Sequence, residues 1–534
     1  MSKKTNILLI TTDQQRFDTI NASGYPHMIT PHLDRLVHEG CNCINAYSPN
    51  PVCLPARHNI LTGLSARWHT FDDNYFDDSH QIPYDLPTFA QVLSDQGYDT
   101  IAIGKMHFQP YRRHNGFHRL LLMDEIPRFR EDDDYALYLK ENGYDYLQSL
   151  HGVRHLLYMQ PQQSLVEEKD HGSSWVANET IRYLDTKSKN KPFMIWAGFI
   201  APHPPFDVPS FYADLYKEKE IPSPYVSQTP ISTLAEENKN IADYPNTKTL
   251  MRARELYYSA ISFVDTNVGR ILAKLEEIDE LDNTFVVFTS DHGEMLGDMG
   301  TYQKFLPYDT SSKIPMIIRY PKRIKAGSIL DSFVDLNDLF PTFLDVANIP
   351  YSGKIELLGS SIFNSKKDRT YQYIEHQRHA RRWISLRNKQ YKYNYYYGGG
   401  KEELFDMIDD PHETINLLYN QKEEFDSIRC ELRQKLIEYE QKCGLEGCIQ
   451  NNDFVVYPDF EITFYRETNP PFFPANLAKE KEYQKLWSLE KELELAISNE
   501  SIDLEKMDTA YFIEKKILDS DKLNQIIKKR KKHC

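Results

Sequence analysis

Four apolar runs, each of strand length and each ending in charged or imidazole residues, constrain this chain more than any other feature. They are residues 6–12, 98–104, 191–200 and 283–290. None of them alternates polar with apolar residues, so both faces of each strand must be covered. That is the pattern of a mostly parallel sheet with helices on both sides, an α/β fold. Ile261, Val264, Val268, Ile271, Leu272 and Leu275 recur at helical spacing and predict an amphipathic helix over 251–275, packed on that sheet. A helix and a short strand are expected in 29–47, and a further helix over 86–93 that ends before Gly97. Residues 110–170 are charged and without repeat. They read as an insertion with helical pieces that shapes a substrate entrance.

In open α/β sheets, ligands bind beyond the carboxyl ends of the strands. The residues just past each run therefore carry the chemistry. Asp13 ends the first and offers a carboxylate to a metal. Lys105 and His107 end the second; two apart, they project to the same side and suit an anion. His203, held among Pro202, Pro204 and Pro205, comes after the third and is placed for acid–base work. Asp291 and His292 end the fourth, and Gly293 lets the backbone turn so that both face one centre. Cys53 stands apart from the strands. It opens a helical pattern and has Arg57 nearby. A cysteine so placed is either an activated nucleophile, favoured by the helix N-terminus and the arginine, or a small buried hydrophobe.

Composition narrows the partners. The net charge of −15 opposes nucleic-acid binding. No apolar run approaches the ~20 residues of a membrane span, and the four apolar residues Ile7 to Ile10 fall short of the ~7–15 of a secretory h-region. A cytoplasmic protein is expected. The seven cysteines, an odd number, suit reduced thiols. Cys443 and Cys448 lack a partnering pair of zinc spacing.

Cys53-Leu-Pro55-Ala56-Arg57, followed by Leu61-Thr62-Gly63, resembles the signature of the type I, formylglycine-dependent sulfatases of the alkaline phosphatase-like superfamily. Ala56 stands where many members carry Ser. Gly104-Lys105-Met106-His107 resembles that family's Gly-Lys-Trp-His, Pro202-His203-Pro204-Pro205 its Pro-His-x-Pro, and Asp291-His292-Gly293 its Asp-(Asn/His)-Gly. Gln14 occupies the position of a second Asp, as in the related phosphonate monoester hydrolases. Residues 335–350 resemble the helix that closes the family's large domain, and the likeness extends over about 5–420.

The resemblance implies a large, mostly parallel mixed sheet flanked by helices over 1–355. A smaller C-terminal domain, with an antiparallel sheet and a helix, occupies 356–450, and a charged, mostly helical extension occupies 451–534. It implies that a maturase enzyme converts Cys53 to formylglycine. Asp13, Gln14, Asp291 and His292 hold one divalent metal, Ca2+ or, with imidazole present, Mn2+. Arg57, Lys105, His107, His203 and Lys304 act on a sulfate ester, with a sulfated saccharide as the substrate class. A phosphonate or phosphodiester hydrolase and a non-enzymatic carbohydrate-binding relative are the alternatives. Arg378, His379 and Arg382, joined by Arg112, Arg113 and His114, read either as solvated surface charges or as a basic rim that meets a second anion such as a uronate. Oligomerisation stays open.

Overall fold

The computed structural model describes residues 3–462, apart from 76–78, 128, 146, 148–149, 153, 155–157, 240, 243, 245, 365–368 and 421–422. Residues 463–534 of the expected C-terminal extension lie outside the described residues.

An eight-stranded sheet runs through the larger part. Its strands are β1 (Asn6–Asp13), β2 (Cys41–Cys43), β3 (Asp99–Gly104), β4 (Arg119–Leu122), β5 (Phe193–Pro202), β6 (Thr284–Ser290), β7 (Met316–Arg319) and β8 (Ser328–Leu330). Their order is β8-β2-β7-β6-β1-β5-β3-β4. Only β7 runs against the others. The four apolar runs form the centre, β6-β1-β5-β3. Edge strand β4 lies in the stretch read as an insertion. Its Leu120-Leu121-Leu122 is too short, amid charged neighbours, to stand out by periodicity.

Side chains on successive residues of a strand point to opposite faces. Ile7 and Leu9 enter one core, Leu8 and Ile10 the other. Helices α2 (Cys53–Thr62), α3 (Phe89–Asp95) and α6 (Leu339–Ala347) cover the first face. Helices α1 (Pro31–Glu39), α4 (Gly172–Thr186) and α5 (Thr247–Glu277) cover the second. Each aliphatic side chain fully buried in this way contributes about 1.5–3 kcal/mol. The double coverage is the reason the strands tolerate no polar alternation.

A four-stranded antiparallel meander comes next: β9 (Gln372–His376), β10 (Trp383–Arg387), β11 (Tyr391–Tyr396) and β12 (Lys401–Asp406). Helix α7 (Asp426–Cys443) packs on it through Leu432, Leu436 and Ile437. Asp309 of the larger part anchors this sheet, accepting Arg387 at 2.8 Å and Lys392 at 2.9 Å. None of the described helices is long and apolar enough to cross a membrane.

Candidate active site

Strands β1 and β6 lie in register, with Thr12 beside Ser290. The next residues, Asp13 and Asp291, therefore emerge side by side at the carboxyl edge. Gln14 comes after with φ of 66°, and its N–H donates to Asp291 Oδ1 at 3.1 Å. A non-glycine residue in the left-handed region is costly unless its surroundings enforce it, and such positions cluster at functional sites. On the other side of β1, Gly104 (φ 91°) ends β3 opposite Gly198 of β5. A Cβ at Gly104 would come within 2.0 Å of Gly198 O. That close approach lets the chain turn and lead Lys105 into the same edge.

Helix α2 begins at Cys53, whose Sγ lies 3.2 Å from His292 Nε2, 3.7 Å from Asp13 Oδ1 and 3.9 Å from Lys105 Nζ. One turn on, Arg57 bridges the two carboxylates. Its Nε donates to Asp291 Oδ2 and its Nη2 to Asp13 Oδ2, both at 3.0 Å, while Nη1 donates to Lys105 O. Lys105 Nζ meets Asp13 Oδ2 at 2.8 Å. From the opposite side, Lys304 Nζ donates to Gln14 Oε1 at 2.7 Å and approaches His203 Nε2 at 3.0 Å. Gln14 Nε2 donates to Glu294. His107 (φ 57°) is buried, and the charges acting on it are those of Lys105, Glu125, Arg57 and Asp13.

Burial pushes the Asp13 carboxyl up, but Lys105, His203, Arg57 and His292 outweigh it and hold it well below the usual carboxylate range. Asp291 is pushed up to about 7 by burial and by repulsion from Asp13, against the pull of Arg57. The Cys53 thiol is pushed up to about 12, first by burial and then by Asp13. Of the two roles open to Cys53, burial and the neighbouring carboxylate oppose the activated thiolate. The guanidinium is committed to two carboxylates, and the thiol faces one of them. As a thiol, Cys53 is a poor nucleophile, because the thiolate is the reactive form.

The donor set fits a hard divalent cation. Asp13, Cys53, Asp291 and His292 each offer a ligand atom, all within 4.8 Å of one another, and all four residues are buried. His292 Nδ1 is 3.0 Å from Gly293 O, so it carries the proton, and Nε2 keeps its lone pair toward the cluster. Burial, then Lys304, lowers the His292 imidazole to about 3, so it is neutral as a ligand must be. Two adjacent buried carboxylates repel one another, and a cation between them would relieve that. Gln14 Oε1 lies at the same edge, where it accepts from Lys304.

Arg378, His379 and Arg382 form no basic rim. Arg382 is buried, its guanidinium on Glu375 at 2.7 Å and Glu440 at 2.8 Å. Arg378 is half-exposed but paired with both oxygens of Asp72, at 2.5 and 2.7 Å. His379 is exposed and meets Tyr457 edge-on. Arg112 pairs with Asp134, Arg113 donates to Ile82 O, and His114 Nδ1 bonds Phe117 O. Three of these residues, Arg112, Arg378 and Arg382, have their charges matched by carboxylates that the fold brings to them.

Sequence reasoning missed Glu125. Its Oε2 lies 3.0 Å from Lys105 Nζ and 3.3 Å from His203 Nε2, and Arg154 pairs with its Oε1. It also missed Glu294, which accepts Gln14, Leu296 N and Gln303 N. Glu294 stood within reach of inference, two residues beyond His292. Glu125 did not, since it lies in a charged stretch where one glutamate resembles the next.

Residues 5–349 match the family model for Sulfatase, and residues 297–442 that for N-sulphoglucosamine sulphohydrolase, C-terminal. An arylsulfatase of Clostridium perfringens is 34% identical over 451 residues, covering 80% of this chain and 93% of that protein. An N-acetylglucosamine-6-O-sulfatase of Bacteroides thetaiotaomicron is 26% identical, covering 83% and 87%. Among solved structures, the phosphonate monoester hydrolase of Agrobacterium radiobacter superposes with a TM-score of 0.70 at 22% identity, covering 82% of this chain and 96% of that one. A protein solved with its substrate D-glucosamine-2-N,6-O-disulfate gives 0.66 at 23%, covering 82% and 98%.

Proposed function

The chain belongs to the sulfatase family and is a sulfuric ester hydrolase, and from that premise we propose that it acts on a sulfated saccharide, with Cys53 converted to formylglycine and one divalent metal bound. The observation that carries the reading is the Cys53 cluster. A buried cysteine opens a helix, touches His292, and is ringed by two carboxylates that Arg57 clamps together. A thiol pushed up to about 12 serves poorly as it stands, which favours a chemically altered residue at that position.

When bound, the ion would supply Lewis acidity to the sulfate oxygens, and the hydrated aldehyde an oxygen nucleophile that can afterwards eliminate. Asp13, Asp291 and His292 Nε2 would hold the ion, with Gln14 Oε1 as a further oxygen. Arg57 keeps both carboxylates in place, so that neither can turn away from the centre. Lys105 and Lys304 bring positive charge from opposite sides toward the transferring sulfate, where preorganised cations stabilise developing charge. Burial excludes water from the cluster and strengthens each of these interactions. His203, beside Lys304, would give the departing alcohol its proton. Ca2+ and Mn2+ both fit this mixed oxygen and imidazole set.

A saccharide substrate draws support from relatives named for N-acetylglucosamine-6-O-sulfate and for ulvan. A phosphonate monoester reading has one specific support: Gln14, at the position of a second Asp, resembles the phosphonate monoester hydrolases, whose fold this chain shares. Matched aryl sulfate, phosphonate monoester and phosphodiester substrates, assayed on protein with position 53 converted, separate the two. We expect the highest kcat/KM on the sulfate; a phosphonate preference would overturn the assignment.

A further inference from the structure

His203 has two ring nitrogens with different tasks. Nδ1 lies 2.7 Å from Pro204 O. A carbonyl only accepts, so Nδ1 carries a hydrogen permanently, and the exchangeable proton belongs to Nε2. Nε2 faces Lys304 Nζ at 3.0 Å and Glu125 Oε2 at 3.3 Å. An ammonium only donates and a carboxylate only accepts. The neutral ring is thus satisfied by Lys304 and the protonated ring by Glu125, with no movement of the imidazole.

We propose that Glu125 is the positioning residue that holds the Nε2 proton of His203 for transfer to the departing alcohol. This rests on the sulfate-ester reading above. Glu125 is fixed for the task from three directions: Lys105 shares its Oε2 at 3.0 Å, Arg154 holds Oε1, and His203 completes the set. Arg154 is itself held over the Tyr158 ring at 4.3 Å, and that ring lies 6.2 Å from the imidazole of His203. Burial raises the Glu125 carboxyl, but Arg154, His203, Lys105 and Lys304 outweigh it and keep the group ionised, able to accept. In the step itself, the bond from sulfur to the ester oxygen breaks while the bond from sulfur to the hydroxyl oxygen at position 53 forms, and that hydroxyl gives up its proton to solvent. The electron pair of the broken bond stays on the ester oxygen, which takes the Nε2 proton and leaves as alcohol. The neutral ring then accepts from Lys304 until it takes back, through solvent, the proton that the attacking hydroxyl released. Lys304 remains charged throughout as an anion clamp.

A role in leaving-group protonation matters most when the leaving group is a weak acid. The test is a series of aryl sulfates of decreasing leaving-group acidity, assayed with wild type, Glu125→Gln and Glu125→Asp, each with position 53 converted. For Glu125→Gln we expect kcat to fall about 10²–10³-fold on the least activated ester, the lower part of the roughly 10²–10⁴-fold that a general acid contributes. On the most activated ester the fall is less than about tenfold, with KM little changed on either. Glu125→Asp, which keeps the charge but draws the oxygen back, shows the same trend more weakly and decides the matter if Glu125→Gln does not fold. Equal loss across the series, or loss confined to KM, overturns the proposal. A wild-type protein inactive on every sulfate ester refutes the sulfate reading instead.

Discussion

Replacing Arg382 by Met separates a structural arginine from a substrate-binding one. Its guanidinium lies between two buried carboxylates, donating to Glu375 Oε2 at 2.7 Å and to Glu440 Oε1 and Oε2 at 2.8 and 2.9 Å. It also donates to Gln377 O at 2.8 Å and to Tyr373 OH at 3.3 Å. Met fills much of the volume but leaves both glutamates without their cation. Removing one partner of a buried ion pair costs about 3–5 kcal/mol. With an unfolding entropy of about 2.1 cal/mol/K per residue, a chain of this length loses about 1 °C per kcal/mol, so Tm should fall by roughly 3–5 °C. The loss should also depend on pH. Burial already raises the Glu375 carboxyl above its ordinary value, with Arg382 opposing and Glu440 adding to the rise. Without Arg382 it rises further. An acid whose folded pKa lies above its unfolded one, about 4.3 for Glu, contributes stability that is fully present below the unfolded value. That contribution is lost as pH rises through the folded value. The deficit of the variant should therefore be smaller at pH 5 than at pH 8. Thermal unfolding followed by circular dichroism at both pH values measures it, with kcat/KM on an aryl and a uronate-containing sulfate measured in parallel. Unchanged stability together with a raised KM for the uronate substrate would refute the structural role and restore the rim.

Gly104→Ala should destabilise the protein severely, by several kcal/mol, because its Cβ would meet Gly198 O at 2.0 Å and φ is 91°; a chemical-denaturation midpoint within error of wild type would contradict this. Asp291→Asn should weaken divalent-metal binding by at least about 10²-fold in calorimetric titration, since the neutral side chain removes one of two adjacent anionic ligands; wild-type affinity would place the metal elsewhere. Arg378→Ala should cost about 1–3 kcal/mol, because Arg378 is half-exposed but the buried Asp72 loses its cation and keeps the Tyr75 hydroxyl as a donor; an unchanged Tm would contradict this.

The centre of the fold was legible because burial on both faces leaves an unmistakable mark: β6, β1, β5 and β3 are uninterrupted apolar runs. Helix α5 was legible from its spacing, with ends at Thr247 and Glu277 instead of 251 and 275 because Asn246 caps it earlier through Thr249 N. Strand β4 was not legible, since an edge strand of four residues needs no long apolar run. At the site, residues that come after a core strand or open a helix were found, because strand ends point to where ligands bind. What the sequence could not convey was pairing across distance. Arg382 and Glu440 are 58 positions apart, as the two sides of one buried bridge. Lys105 and Glu125 are joined only by the fold. The two readings of Cys53 stayed open for the same reason: proximity of Arg57 in sequence says nothing of the two carboxylates that claim it.

The central claim is that hydrolysis runs through a modified Cys53. It is tested most directly by peptide mass measurement across residues 51–63, made on the preparation used for aryl sulfate turnover, with Cys53→Ala alongside. The account predicts that turnover scales with the fraction of protein carrying formylglycine at position 53, and that Cys53→Ala, folded to the same Tm, retains no more than a trace of activity. Full turnover by protein whose Cys53 is an unmodified thiol, or by Cys53→Ala, would contradict it.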